Sequence, residues 1–137
     1  MIVAGLFLKA NEVRVVTLTG DRASHSLIAP KVTKFSLHKN PTQADVVAFI
    51  AKVSNHLSDF SVEKLVLNRR ATTGQGAGGA GTFLMEGAIL ASCSCEIEFI
   101  HPATLRASDK KHSELKNCRP KTVDLAKAYD LAFECLG

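Results

Sequence analysis

The sequence has no tryptophan, a single tyrosine and seven phenylalanines, most of which fall within apolar stripes that a core would claim. An open aromatic platform for stacking on bases is therefore not encoded. Cysteine is sparse and unevenly spread: Cys93, Cys95, Cys118 and Cys135 all lie in the last third of the chain. That is not the dense framework of a small secreted domain, and reduced thiols are expected. Long apolar runs are missing as well. The opening run from Met1 to Leu8 lacks a basic leader and stops at Lys9, too short for a signal or a membrane span, so a cytoplasmic protein with no membrane partner is expected.

What remains is the composition of a folded protein. Of 137 residues, 46% are apolar and 22% charged, which predicts one domain over residues 1–137. The net charge of +4 is localised. Between Arg106 and Lys121, Arg106, Lys110, Lys111, Lys116, Arg119 and Lys121 face only Asp109 and Glu114, whereas the rest of the chain holds eleven residues of each sign. Such a segment is either a solvated loop or a steering surface for phosphates.

Ile2 to Leu8 is continuous and apolar, as in a strand covered on both faces, and Val13 to Thr19 is rich in β-branched residues; Lys9-Ala10-Asn11-Glu12 joins them as a hairpin. After a polar stretch from Gly20 to Ser26, Lys31 to Leu37 reads as a charge-protected edge strand. Asn40-Pro41-Thr42-Gln43 gives a helix start, with Asn40 as cap, and Val46, Ile50, Val53, Leu57 and Phe60 form the stripe behind it. A strand over Glu63 to Asn68, a helix from Thr82 to Cys93, a strand over Glu96 to Ile100 and a helix after Thr122 complete the pattern. In the last helix Leu125, Ala128, Tyr129, Ala132, Phe133 and Leu136 form the apolar face, with Asp130 opposite and solvated. Pro102 to Ser108 allows one helical turn or two, and Lys110 to Lys121 reads as loop.

Three strands in a meander followed by two right-handed crossovers predict an α/β fold of ribonuclease H-like type. Its sheet is five-stranded and mixed, in the order 3-2-1-4-5, with helices on both faces. The run from Met1 to Glu12, Leu65-Val66-Leu67-Asn68-Arg69-Arg70, Gly78-Gly79 and Phe83-x-Met85-Glu86 resemble the uncharacterised bacterial domain-of-unknown-function 3010 family over nearly the whole chain. More distantly the layout is similar to RuvC-type Holliday junction resolvases and YqgF-like proteins. That likeness implies acids on the first strand, the fourth strand and the last helix, which together hold divalent metal for hydrolysis.

The carboxylate cluster is not there. Gly5-Leu6-Phe7 stands where the resolvase pattern has Gly-hydrophobic-Asp, Asn68-Arg69-Arg70 stands near the fourth-strand acid, and Asp124 is the position most like the remaining acid. Phe7, Arg69 and Asp124 are thus degenerate active-site positions: a phenyl ring cannot ligate a hard cation, and guanidinium groups repel one. No catalytic residue, metal site or cofactor is predicted.

Between Arg69 and Gly81 lie five glycines in eight residues, giving G-x-G-x-x-G from Gly74 and again from Gly76, with Glu98 about twenty residues beyond. A dinucleotide site fails on position in the chain, and a P-loop fails because Ala80-Gly81 follows Gly79 in place of Lys-Ser/Thr. What survives is an anion cradle of backbone N–H groups at a helix start, made by Gly74, Gly76, Gly78 and Gly79 beside Arg69 and Arg70. The alternative is a loop that needs glycine only for its backbone geometry. Cys93-x-Cys95 with His101, His112 and Cys118 lacks zinc-site spacing. His25, His38 and His56 fall in loops and on a polar helix face, and Glu86 reads as a surface carboxylate. The leading expectation is non-catalytic binding of a phosphate-bearing ligand, nucleic acid or a protein partner. A residual metal-dependent nuclease or hydrolase using Asp124 is the alternative, and a structural homo-oligomer, such as a homodimer, is a third.

Overall fold

A computed structural model describes residues 1–28, 33–69 and 79–137. Strands β1 (Ile2–Lys9), β2 (Glu12–Gly20), β3 (His25–Ile28), β4 (Lys34–Ser36), β5 (Lys64–Asn68) and β6 (Glu96–Ile100) form one sheet. Its order is β3-β2-β1-β5-β6, with β4 also paired to β2. β2 runs antiparallel to β1, β3 and β4, while β1, β5 and β6 are parallel. The helices are α1 (Gln43–Asp59), α2 (Ala80–Ser92), α3 (Pro102–His112) and α4 (Val123–Glu134), with a 3₁₀ turn at Ser113–Leu115.

The strand order read from the sequence holds, with one correction at the edge. The third strand is in two pieces, so the sheet has six strands: the expected strand over Lys31 to Leu37 shrinks to β4, and the end of the supposed polar stretch becomes β3. His25–Ile28 has no apolar alternation to announce it. It is a strand because β2 offers it a free edge, a tertiary cause that local pattern does not carry.

β1 shows why its sequence is unbroken. Ala4, Leu6 and Leu8 pack with Phe49, Val53, Met85 and Ile89 of α1 and α2, whereas Val3 and Phe7 pack with Ala128, Tyr129, Ala132 and Phe133 of α4. Period-two alternation with both faces covered needs apolar residues at every position. Gly5 lies on the α4 side, where a Cβ would stand 2.0 Å from the Ala128 carbonyl oxygen. That glycine lets α4 lie directly on the strand.

α1 begins two residues later than read. Thr42, not Asn40, is the cap: its hydroxyl accepts from Asp45 N–H at 3.2 Å, and the Asp45 carboxylate accepts from Thr42 N–H at 2.9 Å. This reciprocal pair satisfies two otherwise unpaired donors, which a proline-led start at Asn40 does not. His56 is likewise not on a polar face. It follows Phe49 and Val53 along the buried stripe and meets the Thr17 hydroxyl at 2.9 Å. α3 runs to His112, well past the one or two turns expected, and carries Lys110 and Lys111 in its last turn, where cations suit the helix dipole.

The β1–β2 hairpin closes through Ala10 and Asn11, with Ala10 at φ +55°, a conformation that favours glycine. The turn is held from outside. The Thr82 hydroxyl at the start of α2 donates to the Ala10 carbonyl at 3.1 Å, and Leu37 N–H donates to the Asn11 carbonyl at 2.8 Å. α2 therefore starts beside the end of β1.

Candidate functional site

β1 and β5 run parallel, and the C-terminal end of β1 meets the first turns of α4. Phe7 points to the α4 side with 6% of its surface exposed. The Lys127 ammonium sits 5.0 Å from the centre of its ring, a cation–π contact. Asp124, one helical turn earlier than Lys127, is 3.7 Å from the Lys9 ammonium at the end of β1. Asp124 is thus already paired with a cation.

Asn68, at the end of β5, is buried and turned onto β1. Its amide oxygen accepts from Leu8 N–H at 3.0 Å, and its amide nitrogen donates to the Leu8 carbonyl at 3.4 Å. The side chain continues the strand ladder by one further rung. Arg69 follows, with its backbone N–H bonded to the Ile100 carbonyl and its guanidinium carbon 3.7 Å from the centre of the Phe99 ring. Stacking on the ring restricts the guanidinium.

Of the residues predicted to make the site, Phe7, Arg69 and Asp124 come to the same end of the sheet, and Gly79 is the N-cap residue of α2, with no side-chain cap. Arg70, Gly74, Gly76 and Gly78 lie outside the described residues. Lys9 and Lys127 were missed by sequence reasoning, although a signal existed. Lys9 ends the apolar run, and Lys127 lies three residues from Asp124 on the same helix face.

Asp130 is a correction. Its carboxylate is buried, not solvated, accepting from the Lys116 ammonium at 3.1 Å and from Arg119 at 2.6 Å; Asp109 accepts from Lys116 at 2.6 Å. The Lys116 side chain is only 2% exposed. Burial raises the Asp130 pKa above its ordinary value, against the pull of Lys116 and Arg119. The helical wheel fails here because the segment read as loop folds back over the outer face of α4. The same contacts neutralise part of the basic segment internally, so not all of it is a solvated surface.

The cysteines and histidines do not converge. Cys93 and Cys95 touch each other, Cys118 contacts the His25 carbonyl, Cys135 donates to Glu98, and His101 caps α3 through Ala103 N–H. Among the described residues, no three His, Cys, Asp or Glu side chains are grouped to hold a metal ion.

Residues 1–135 match the family described as Protein of unknown function (DUF3010). The chain belongs to that family. Among curated proteins none matches it. Thermus thermophilus RuvC is similar in structure, with a TM-score of 0.75 at 19% identity over 97% of this chain and 92% of that one. T. thermophilus RuvC in complex with Holliday junction substrate gives 0.72 at 18% identity, covering 97% and 90%. A Fowlpox virus resolvase in complex with substrate Holliday junction DNA gives 0.54 at 11% identity, covering 98% and 97%. Likeness at this level of identity is likeness of fold, and it makes the DUF3010 chain α/β and ribonuclease H-like. No helix among its described residues is long and apolar enough to cross a membrane.

Proposed function

We propose that this DUF3010 protein binds a phosphate-bearing ligand, nucleic acid foremost, without cleaving it. The contact surface is the sheet end that carries Lys9 and Lys127 on the α4 side and Arg69, against Phe99, on the other side; of the expected cradle Gly79 is the N-cap residue of α2, and Arg70, Gly74, Gly76 and Gly78 lie outside the described residues. One observation carries the reading: a phenyl ring under an ammonium group occupies the centre, and Asp124 is engaged by Lys9. Such a centre repels divalent metal and attracts phosphate oxygens. Lys9, Arg69 and Lys127 are exposed, so each can reach an incoming strand. Arg69, preset on Phe99, suits the planar geometry of a phosphate, while the two lysines act as point charges. The solved structures that carry junction DNA on this fold favour nucleic acid over a small phosphate ester.

Fluorescence anisotropy with labelled junction and single-stranded DNA, in chelator, tests the proposal. Binding is expected without metal and weakened at least about tenfold in Lys9→Ala/Arg69→Ala/Lys127→Ala, since each lost phosphate contact lowers affinity on any sequence. An unchanged curve discards the site. Manganese-dependent cleavage abolished by Asp124→Asn would replace it with the residual hydrolase.

A second reading, compatible with the first, is self-association. α2 has an apolar outer face as well as a buried one: Leu84 and Leu90 are 42% and 48% exposed, with Ala80, Gly87 and Ala91 between and beside them. Apart from Glu86, α2 carries apolar or small side chains over most of its circumference, and such a face gains from being covered. Sedimentation with and without DNA separates a ligand-induced dimer from a constitutive one.

A further inference from the structure

On the sheet face opposite α4, the end of α1 and the turn from α2 into β6 enclose a cavity of about 260 Å³. Cys93, the C-cap residue of α2, and Cys95, just before β6, are part of its wall. Their sulfur atoms are 3.4 Å apart, in hydrogen-bond contact and not bonded covalently. Ser54, Ser58, Ser92 and Ser94 supply hydroxyls around them, and Leu57 and Val62 the apolar part of the lining. The proposed function does not use this cavity.

We infer that Cys93 and Cys95 are the two ligands of a site for a soft monovalent metal ion of the copper(I) class. Zinc in a structural site takes four protein ligands, and among the described residues no third His, Cys, Asp or Glu is grouped with this pair. Cys118 and Cys135 are engaged elsewhere, against His25 and Glu98 on the α4 side of the sheet. A two-sulfur site suits an ion that is stable with few soft ligands. Ligand softness agrees. Thiolates select copper(I), whereas magnesium, calcium and manganese require carboxylate and carbonyl oxygen, and the cavity lining has no carboxylate. Placement also agrees. The sulfurs already touch, so the chelating pair is assembled by a single residue, Ser94, between a helix end and a strand start. The serine hydroxyls make part of the cavity wall polar, while Leu57 and Val62 keep part of it apolar. The reaction is an exchange without oxidation: two sulfur–metal bonds form, two S–H bonds break, both protons pass to solvent, and one positive charge enters. The loaded pair carries one net negative charge.

The experiment is an anaerobic titration of the full chain with copper(I) against a chromophoric copper(I) chelator, followed by sulfur-to-copper charge-transfer absorption. One ion per chain is expected. Cys93→Ser and Cys95→Ser should each lose the site, and Cys118→Ser and Cys135→Ser should keep it. Alkylation mapped by mass spectrometry on the unaltered chain guards against a variant that fails to fold: bound copper(I) must protect Cys93 and Cys95 together. Protection confined to Cys118 or Cys135, or equal retention of zinc, would overturn the inference. Because phosphate binding is measured in chelator, failure of this site leaves the sheet-end proposal standing.

Discussion

At His56, burial decides the charge. The ring lies between Phe35 and Phe60 and against Thr17, and desolvation holds its pKa below the ordinary 6.5, outweighing the attraction of Asp59. A folded-state pKa below the unfolded one means that the unfolded chain binds the extra proton first. The stability linked to His56 is therefore fully present above about pH 6.5 and is lost as pH falls below it towards the folded value. Urea unfolding at about pH 7.5 and 5.5 should show a loss in the native chain that His56→Gln reduces, because glutamine keeps a hydrogen-bonding group for Thr17 without titrating there. Equal losses in both chains would show that the pH dependence lies elsewhere. Lys116 poses the opposite problem, a charge that must stay charged. Lys116→Ala leaves Asp130 buried with Arg119 alone, and a cost of about 3 kcal/mol is expected. Lys116→Met with Asp130→Leu should cost clearly less, since no orphan charge remains. A double variant as unstable as the single one would mean that the pair contributes more than mutual neutralisation.

Elements were legible in proportion to how far their cause is local. β1, β2, α1 and α4 announce themselves by an unbroken apolar run, a β-branched run or a helical stripe, and β6 has the bounds read for it, Glu96–Ile100. β3 and the second half of α3 do not, because their stabilisation comes from an edge of β2 and from contact with α4. The same reason governs the site. The places of Phe7 and Arg69 at strand ends could be read from the sequence, since each lies at the end of an apolar run. The burial of Asp130 could not, because its covering residues come from a segment with no periodicity. Gly5 joins the two levels. Its missing side chain seats α4 on β1, so Gly5→Ala drives a methyl group into the Ala128 backbone, which no rotamer change relieves. A loss of about 3 kcal/mol is expected, accompanied by faster amide exchange along α4. Exchange raised uniformly across the sheet, with α4 unaffected, would contradict this seating.

Across the whole molecule, charge is sorted more finely than the net +4 suggests. Lys116 and Arg119 are spent on Asp109 and Asp130 inside the fold. Lys110 and Lys111 stay exposed at the end of α3, while Lys9 and Lys127 lie on the α4 side of the sheet end and Arg69 lies at the same end against Phe99 on the other face. Among the described residues these two groups of exposed cations can each attract a phosphate chain, and salt dependence tells them apart. Each phosphate contact on duplex DNA releases condensed counterions and adds about −0.9 to the slope of log affinity against log salt. If the sheet end carries the contact, Lys9→Ala/Arg69→Ala/Lys127→Ala should flatten that slope by about 3, with Lys110→Ala/Lys111→Ala leaving it nearly unchanged. The opposite pattern would move the binding surface to α3. Arg69 adds a distinction within the sheet end. Removing its stacking partner with Phe99→Leu retains the charge but frees the guanidinium, so affinity should fall while the slope stays as in the native chain. A slope that changed with Phe99→Leu would show that the ring, and not the charge it orients, governs the number of phosphates engaged.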